Sequence, residues 1–181
     1  MVEAAAAVEG LKLVLPREYP IVILACVVLC IECFVFGMIF VAPARVKTFN
    51  AEFMKQFEDE HEKAFPGSKP AFMGFPDAGD GRYSQKLEYK DWVEFNNAMR
   101  VHQNFIEQLP MILAVLVFSG LYLPKLSAAV GIINAVARVI YAIMYKTSGS
   151  DARKIGAVAG SLPLYILGIC AFFKAVHQAC E

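Results

Sequence analysis

Residues 19–41, YPIVILACVVLCIECFVFGMIFV, are 23 consecutive positions with Glu32 as their sole charge. Coiled into a helix at 1.5 Å per residue, such a run is roughly 35 Å long, enough to cross the hydrocarbon core of a bilayer. It is too long for the core of a signal peptide, and no small-residue cleavage site follows it, so a retained first membrane helix is expected. The composition points the same way. Hydrophobic residues make up 57% and charged residues 19%, with a mean hydropathy of +0.49. Soluble domains sit near 45–50% apolar and about 25% charged. At 181 residues the chain suits one domain. Seventeen basic residues cancel seventeen acidic ones, which argues against a nucleic-acid binder. The five cysteines do not form the frame of a small disulfide scaffold, and the apolar content excludes general disorder.

Three further spans follow. The run Leu109–Leu123 is only 15 residues long. It reaches membrane length if its helix begins near Val93, which draws Arg100, His102, Gln103, Asn104 and Glu107 into or near the bilayer. The next helix is expected at about 126–146, containing Asn134 and Arg138, and the last at about 154–177, containing Pro163. Leu123-Pro124-Lys125 and Thr147–Asp151 carry turn chemistry, so these helices are joined by short antiparallel connections. The expected architecture is an all-α membrane protein, a four-helix up-down bundle, with a single domain over 1–181 and a loop at about 42–92.

Basic residues set the orientation. Lys12, Arg17, Lys125 and Lys174 lie on the side of the termini. Eleven others, including Arg45, Lys47, Lys86, Lys146 and Arg153, lie on the side of the long loop. The bias places loops 42–92 and 147–153 in the cytosol and both termini on the other side. Within the long loop, Phe49, Phe53 and Phe57 recur every four residues among charges, which predicts an amphipathic helix continuing from the first span. The stretch FPGSKPAFMGFPDAGDGRYS is rich in turn pairs and reads as an ordered or flexible loop. Apart from the alanine run at 4–7, the sequence shows no low-complexity tract, repeat or glycine-rich phosphate loop.

Ionisable residues inside a membrane are costly and tend to be functional. Arg100, Asn104 and Glu107 are spaced i, i+4, i+7 and share one helix face. Pro110 is placed to kink that helix just beyond them. Asn134, Arg138, Tyr141 and Tyr145 share a face of the next helix. Two such stripes on neighbouring helices, in the cytosolic half and near Arg153, form one polar pocket or a set of internal ion pairs that fixes packing. As a pocket, the arginines suit the carboxylates of an anionic peptide and Glu107 suits its ammonium. The tyrosines also fit an interfacial aromatic belt. Cys26, Cys30 and Cys33 lie on one face and read as packing; no metal site is expected. His102 and His177 fall at opposite membrane surfaces and cannot share one haem iron. Cys180 is open to acylation or is a free thiol.

FNNAMRVHQNFIEQLP at 95–110 and ARVIYAIMYKTSGSDAR at 137–153 resemble the membrane-associated eicosanoid and glutathione metabolism (MAPEG) family. Within it the motifs RxHQNxxExxP and RxxYxxxY are most similar to the type 3 microsomal glutathione transferase branch. The resemblance covers roughly 93–176, and the first span more loosely. It implies a homotrimer of four-helix subunits that binds glutathione between neighbours on the cytosolic side. It places Arg45, Arg100, His102, Asn104, Glu107, Arg138, Tyr141 and Tyr145 on glutathione, and Arg153 beside its thiol as the activating residue. Gln108 departs from the tyrosine of the leukotriene-forming branch. The implied activity is a glutathione transferase or peroxidase, acting on lipophilic electrophiles or lipid hydroperoxides that arrive through the membrane lipids. The endoplasmic reticulum and the mitochondrial outer membrane are the expected locations. The alternatives are a non-catalytic lipid-binding relative and an accessory subunit of a larger membrane complex. An ion path through Arg100, Glu107 and Arg138 is the remaining reading.

Overall fold

The computed structural model describes residues 15–180, so the alanine run at 4–7 and Lys12 lie outside the described residues. Nothing in the first apolar run opposes a helix. Pro20 stands in the first turn, where a missing N–H removes no helical hydrogen bond. Helix α1 spans Tyr19–Phe36. The chain then widens into a π turn over Gly37–Val41 and continues as α2, Ala42–Thr48. The unbroken span is therefore Tyr19–Thr48, longer than the expected 19–41, and the long loop begins at Phe49 rather than at 42.

The amphipathic helix expected through Phe49, Phe53 and Phe57 is broken. Phe49 leaves the helical region at φ −102°, ψ 52°. Asn50 caps a new short helix, α3 (Ala51–Met54), accepting from the Phe53 N–H at 3.0 Å. A 3₁₀ turn over Lys55–Phe57 leads to α4, Glu58–Ala64. The apolar face survives the break: Phe49–Phe53 and Phe53–Phe57 ring centroids are each 5.8 Å apart. Phe49 and Phe57 are buried with Phe95 and Met99 in a small second core.

Helix α5 spans Tyr89–Gly120, beginning a turn earlier than expected, and runs through Pro110 as one helix. Helix α6 spans Pro124–Ser148 and ends where Gly149 takes φ 80°. Helix α7 spans Lys154–Ala179, with Pro163 inside it. Among the described residues four helices are long and apolar enough to cross a membrane: Tyr19–Thr48, α5, α6 and α7. The all-α four-helix membrane bundle expected from the sequence is the fold found.

The main core is built from α1, α5, α6 and α7 and centres on Val22, Leu29, Phe105, Ile112, Leu116 and Leu167. Helices α1 and α6 run parallel. Glu18 pairs with Lys125 at 3.5 Å at one end, and Lys146 lies 5.5 Å from the Phe40 ring at the other. Between them Gly131 lets the helices touch, since a Cβ there would stand 2.8 Å from the Ala25 Cβ. Gly156 does the same for α6 and α7, where a Cβ would stand 2.6 Å from the Tyr141 backbone nitrogen.

Candidate functional site

The polar stripe of α6 is buried inside the bundle: Asn134, Arg138, Tyr141 and Tyr145 are all under a tenth exposed. Arg138 crosses to α5. One guanidinium nitrogen donates to the Asn104 carbonyl oxygen at 3.1 Å and another to that of Gln108 at 2.5 Å. The Gln108 amide in turn donates to Asn104 at 3.3 Å. The guanidinium carbon lies 4.8 Å from the centroid of the fully buried Phe105 ring. Of the α5 stripe, Asn104 meets the α6 stripe, with Gln108 as an added member. The sequence carried a signal for it, because Gln108 stands four residues beyond Asn104 on a helix.

Arg100 and Glu107 form a separate pair at 3.5 Å, and Arg100 also approaches Gln103 at 3.4 Å. Their side chains are 42% and 56% exposed, so this face looks outward from the bundle. At the loop end of α6, the Tyr141 and Tyr145 rings lie 5.6 Å apart, and the Arg153 guanidinium stands 5.5 Å from the Tyr145 ring. The Tyr141 hydroxyl is buried without a hydrogen bond of good geometry, with Arg153 as its charged neighbour.

Three sequence-nominated positions lie elsewhere. His102 faces the π turn that follows α1, where its ring atoms are 3.2 Å from the place a Cβ would occupy on Gly37. Asn134 donates to the Gly160 carbonyl of α7 at 3.1 Å. Arg45 is only 3% exposed and is consumed by the loop. It donates to the carbonyls of Met73 at 3.1 Å and Asp77 at 2.7 Å, and lies 3.9 Å from the Phe75 ring centroid. The donors of Arg45 thus go to the loop carbonyls and, at 4.0 Å, to the Met99 sulfur of α5.

The loop is ordered around Asp77, which sequence reasoning did not nominate. Its carboxylate accepts from the Gly79 and Gly81 N–H groups, the Ser84 N–H and the Ser84 hydroxyl, at 2.5–3.1 Å. Burial pushes its pKa up, but these hydrogen bonds outweigh burial and hold it below the ordinary aspartate value. Trp92 and Asn96 each donate to the Gly79 carbonyl at 3.0 Å, tying the loop to α5. Beside it lies a cleft of about 660 Å³ with Phe40, Phe53 and Phe95 in its walls and Lys47, Lys86 and Lys146 at its rim. None of the nominated site residues lines this cleft.

Cys26 and Cys33 are buried in the bundle, while Cys30 and Cys180 are exposed. Among the described residues no group of three or more His, Cys, Asp or Glu could hold a metal ion.

Four apolar helices around a buried arginine with two carboxamide acceptors define an integral membrane protein with a polar site built between two of its spans. The model of the MAPEG family matches residues 21–173, and the chain belongs to that family. Its members work in membranes on glutathione and related metabolism, and some of them are not glutathione transferases.

Proposed function

We propose that this chain is a membrane glutathione transferase or peroxidase, active as a homotrimer, that binds glutathione through Arg100, Asn104, Glu107, Arg138, Tyr141 and Tyr145. The observation that supports this reading best is the Arg138–Asn104–Gln108 junction, which joins the two polar stripes inside the bundle. A structural ion pair alone does not account for it, because Arg138 is held by neutral amides and keeps its full charge for an anion. Glu107 presents a carboxylate to the ammonium of the peptide, and Arg100 beside it presents a fork to a carboxylate.

Arg153 stands over Tyr145 at the loop end of the pocket and serves the thiol. A thiol with a pKa near 8.5 is mostly protonated at neutral pH, and the thiolate is the nucleophile. A guanidinium that lowers that value by two units supplies about 2.7 kcal/mol of thiolate stabilisation. The thiolate then adds to a lipophilic electrophile entering from the bilayer, or attacks a lipid hydroperoxide, breaking its O–O bond to release the alcohol and leave a sulfenic acid that a second glutathione converts to the disulfide and water. The nucleophile belongs to glutathione, so no cysteine of the chain is required. Arg45 is left out of the proposed site, and His102 acts through its packing on Gly37. The long loop and the thiol site share the cytosolic side.

The test is calorimetric titration of glutathione into the detergent-purified protein, alongside Arg100→Ala and Arg138→Ala. Both substitutions are expected to weaken binding at least tenfold, and Arg153→Ala to remove the ultraviolet thiolate band while glutathione still binds. A folded wild-type protein that does not bind glutathione overturns the reading. The ordered loop then favours the second one, an accessory subunit that docks through residues 50–92, since the Asp77 hydrogen bonds that hold it have no part in the glutathione site.

A further inference from the structure

Glu32 is the one charge of the first membrane run, and the glutathione site does not use it. Both its carboxylate oxygens are buried without a hydrogen-bond partner. An orphan carboxylate inside a membrane span is expensive and calls for a function.

Its place is set by helix register. Glu18 meets Lys125, Ala25 meets Gly131 and Phe40 meets Lys146 along the parallel contact of α1 and α6. Two helical turns beyond Ala25 is Glu32, and two turns beyond Gly131 is Arg138. The two residues therefore face the same seam at the same depth, and Arg138 is the charge that acts on Glu32. Arg138 nonetheless gives its terminal nitrogens to Asn104 and Gln108 of α5. One guanidinium thus stands between two acceptor sets, an amide pair on α5 and a carboxylate on α1.

We infer that Glu32 is a positioning residue for Arg138, the alternative acceptor that receives one of its guanidinium nitrogens when a ligand takes Asn104. This deepens the glutathione reading and rests on it for the ligand. In the free protein the amides hold Arg138 and Glu32 is unpaired. When the peptide engages Asn104, the guanidinium nitrogen released there turns to Glu32 while the rest of the Arg138 fork stays with Gln108 and the peptide, so occupancy of the site tightens the α1–α6 seam.

The experiment has a ligand-free arm and a ligand arm. In the first, Glu32→Gln is made in the wild-type protein and in an Asn104→Ala/Gln108→Ala background, and thermal unfolding in detergent is followed. In the wild type, removing an orphan charge is expected to raise the midpoint. In the background lacking the amides, where Arg138 depends on the carboxylate, the same substitution is expected to lower it. A shift of the same sign in both backgrounds overturns the inference. In the second arm, Glu32→Gln is expected to weaken glutathione binding on the order of tenfold, the loss of one charge-assisted hydrogen bond. Unchanged affinity beside a wild type that binds also overturns it. If the wild type fails to bind, the glutathione reading falls, and the sign inversion in the first arm still decides whether Arg138 has two positions.

Discussion

Asp77 shows how one side chain can organise a loop that has no regular structure of its own. Its two oxygens gather four donors from Gly79, Gly81 and Ser84. Its backbone carbonyl receives Arg45. Gly79 must be glycine here: its φ is 115°, and a Cβ would stand 2.6 Å from the Asn96 oxygen. Because the folded pKa of Asp77 lies below its ordinary value, the stability it contributes is full above about pH 4 and is lost as pH falls through the folded value. Trp92, the sole tryptophan, is bonded to Gly79 and reports on this loop locally. Its fluorescence in the wild type is expected to be flat above about pH 4 and to change below it. Asp77→Asn, which turns an amide N–H₂ toward donors, is expected to show the altered emission already at neutral pH and no further step in that range. Superimposable titrations of the two proteins would refute the assignment.

The helices were legible in the sequence because their signals are local. The run of 19–41, with a single charge, demanded a span, and the i, i+4, i+7 spacing of Arg100, Asn104 and Glu107 put them on one face whatever their neighbours. The fate of Arg45 was not legible. Its acceptors are the backbone carbonyls of Met73 and Asp77, and a carbonyl carries no residue identity that a sequence could reveal. The amphipathic pattern of Phe49, Phe53 and Phe57 was right about the face and wrong about the helix, because Asn50 offers a cap that stops one helix and starts another. Close helix contacts are legible only in part: glycines mark them, but not which partner they meet. Gly156 meets the backbone of Tyr141. Gly156→Ala is therefore expected to push the start of α7 off α6, costing on the order of 1–3 kcal/mol through overpacking. It also moves Arg153, three residues before it, away from Tyr145. The expected result is a lower unfolding midpoint with the thiolate band of bound glutathione diminished. Gly168→Ala, where the nearest atom to an added Cβ is an ordinary 3.7 Å away, is the matched control and is expected to change neither.

At the scale of the whole molecule, the outward faces decide the assembly. Apolar side chains such as Leu24, Phe34, Phe118 and Phe173 are more than 60% exposed on the single chain, as lipid-facing residues are. Arg100 and Glu107 do not fit that surface. Their side chains are about half exposed on the same outer side of α5. They are also deep: His102 packs level with Gly37, inside the first apolar run, and Glu107 is five residues, about 7.5 Å, further along α5. A charged residue facing lipid near the membrane centre costs about 2.5–3.5 kcal/mol. Another protein surface that covers the pair removes this cost, and the proposed trimer supplies it from a second copy of the chain, placing Arg100 and Glu107 between subunits. Native mass measurement from nanodiscs is expected to give three copies. Arg100→Leu/Glu107→Leu is expected to keep the protein folded in the membrane, because no charge is left to bury, while abolishing glutathione binding. The single substitution Glu107→Leu, which leaves Arg100 without its partner, is expected to destabilise the assembly more than the double one. A monomeric wild type that still binds glutathione would place the whole site within one chain and end the case for a shared one.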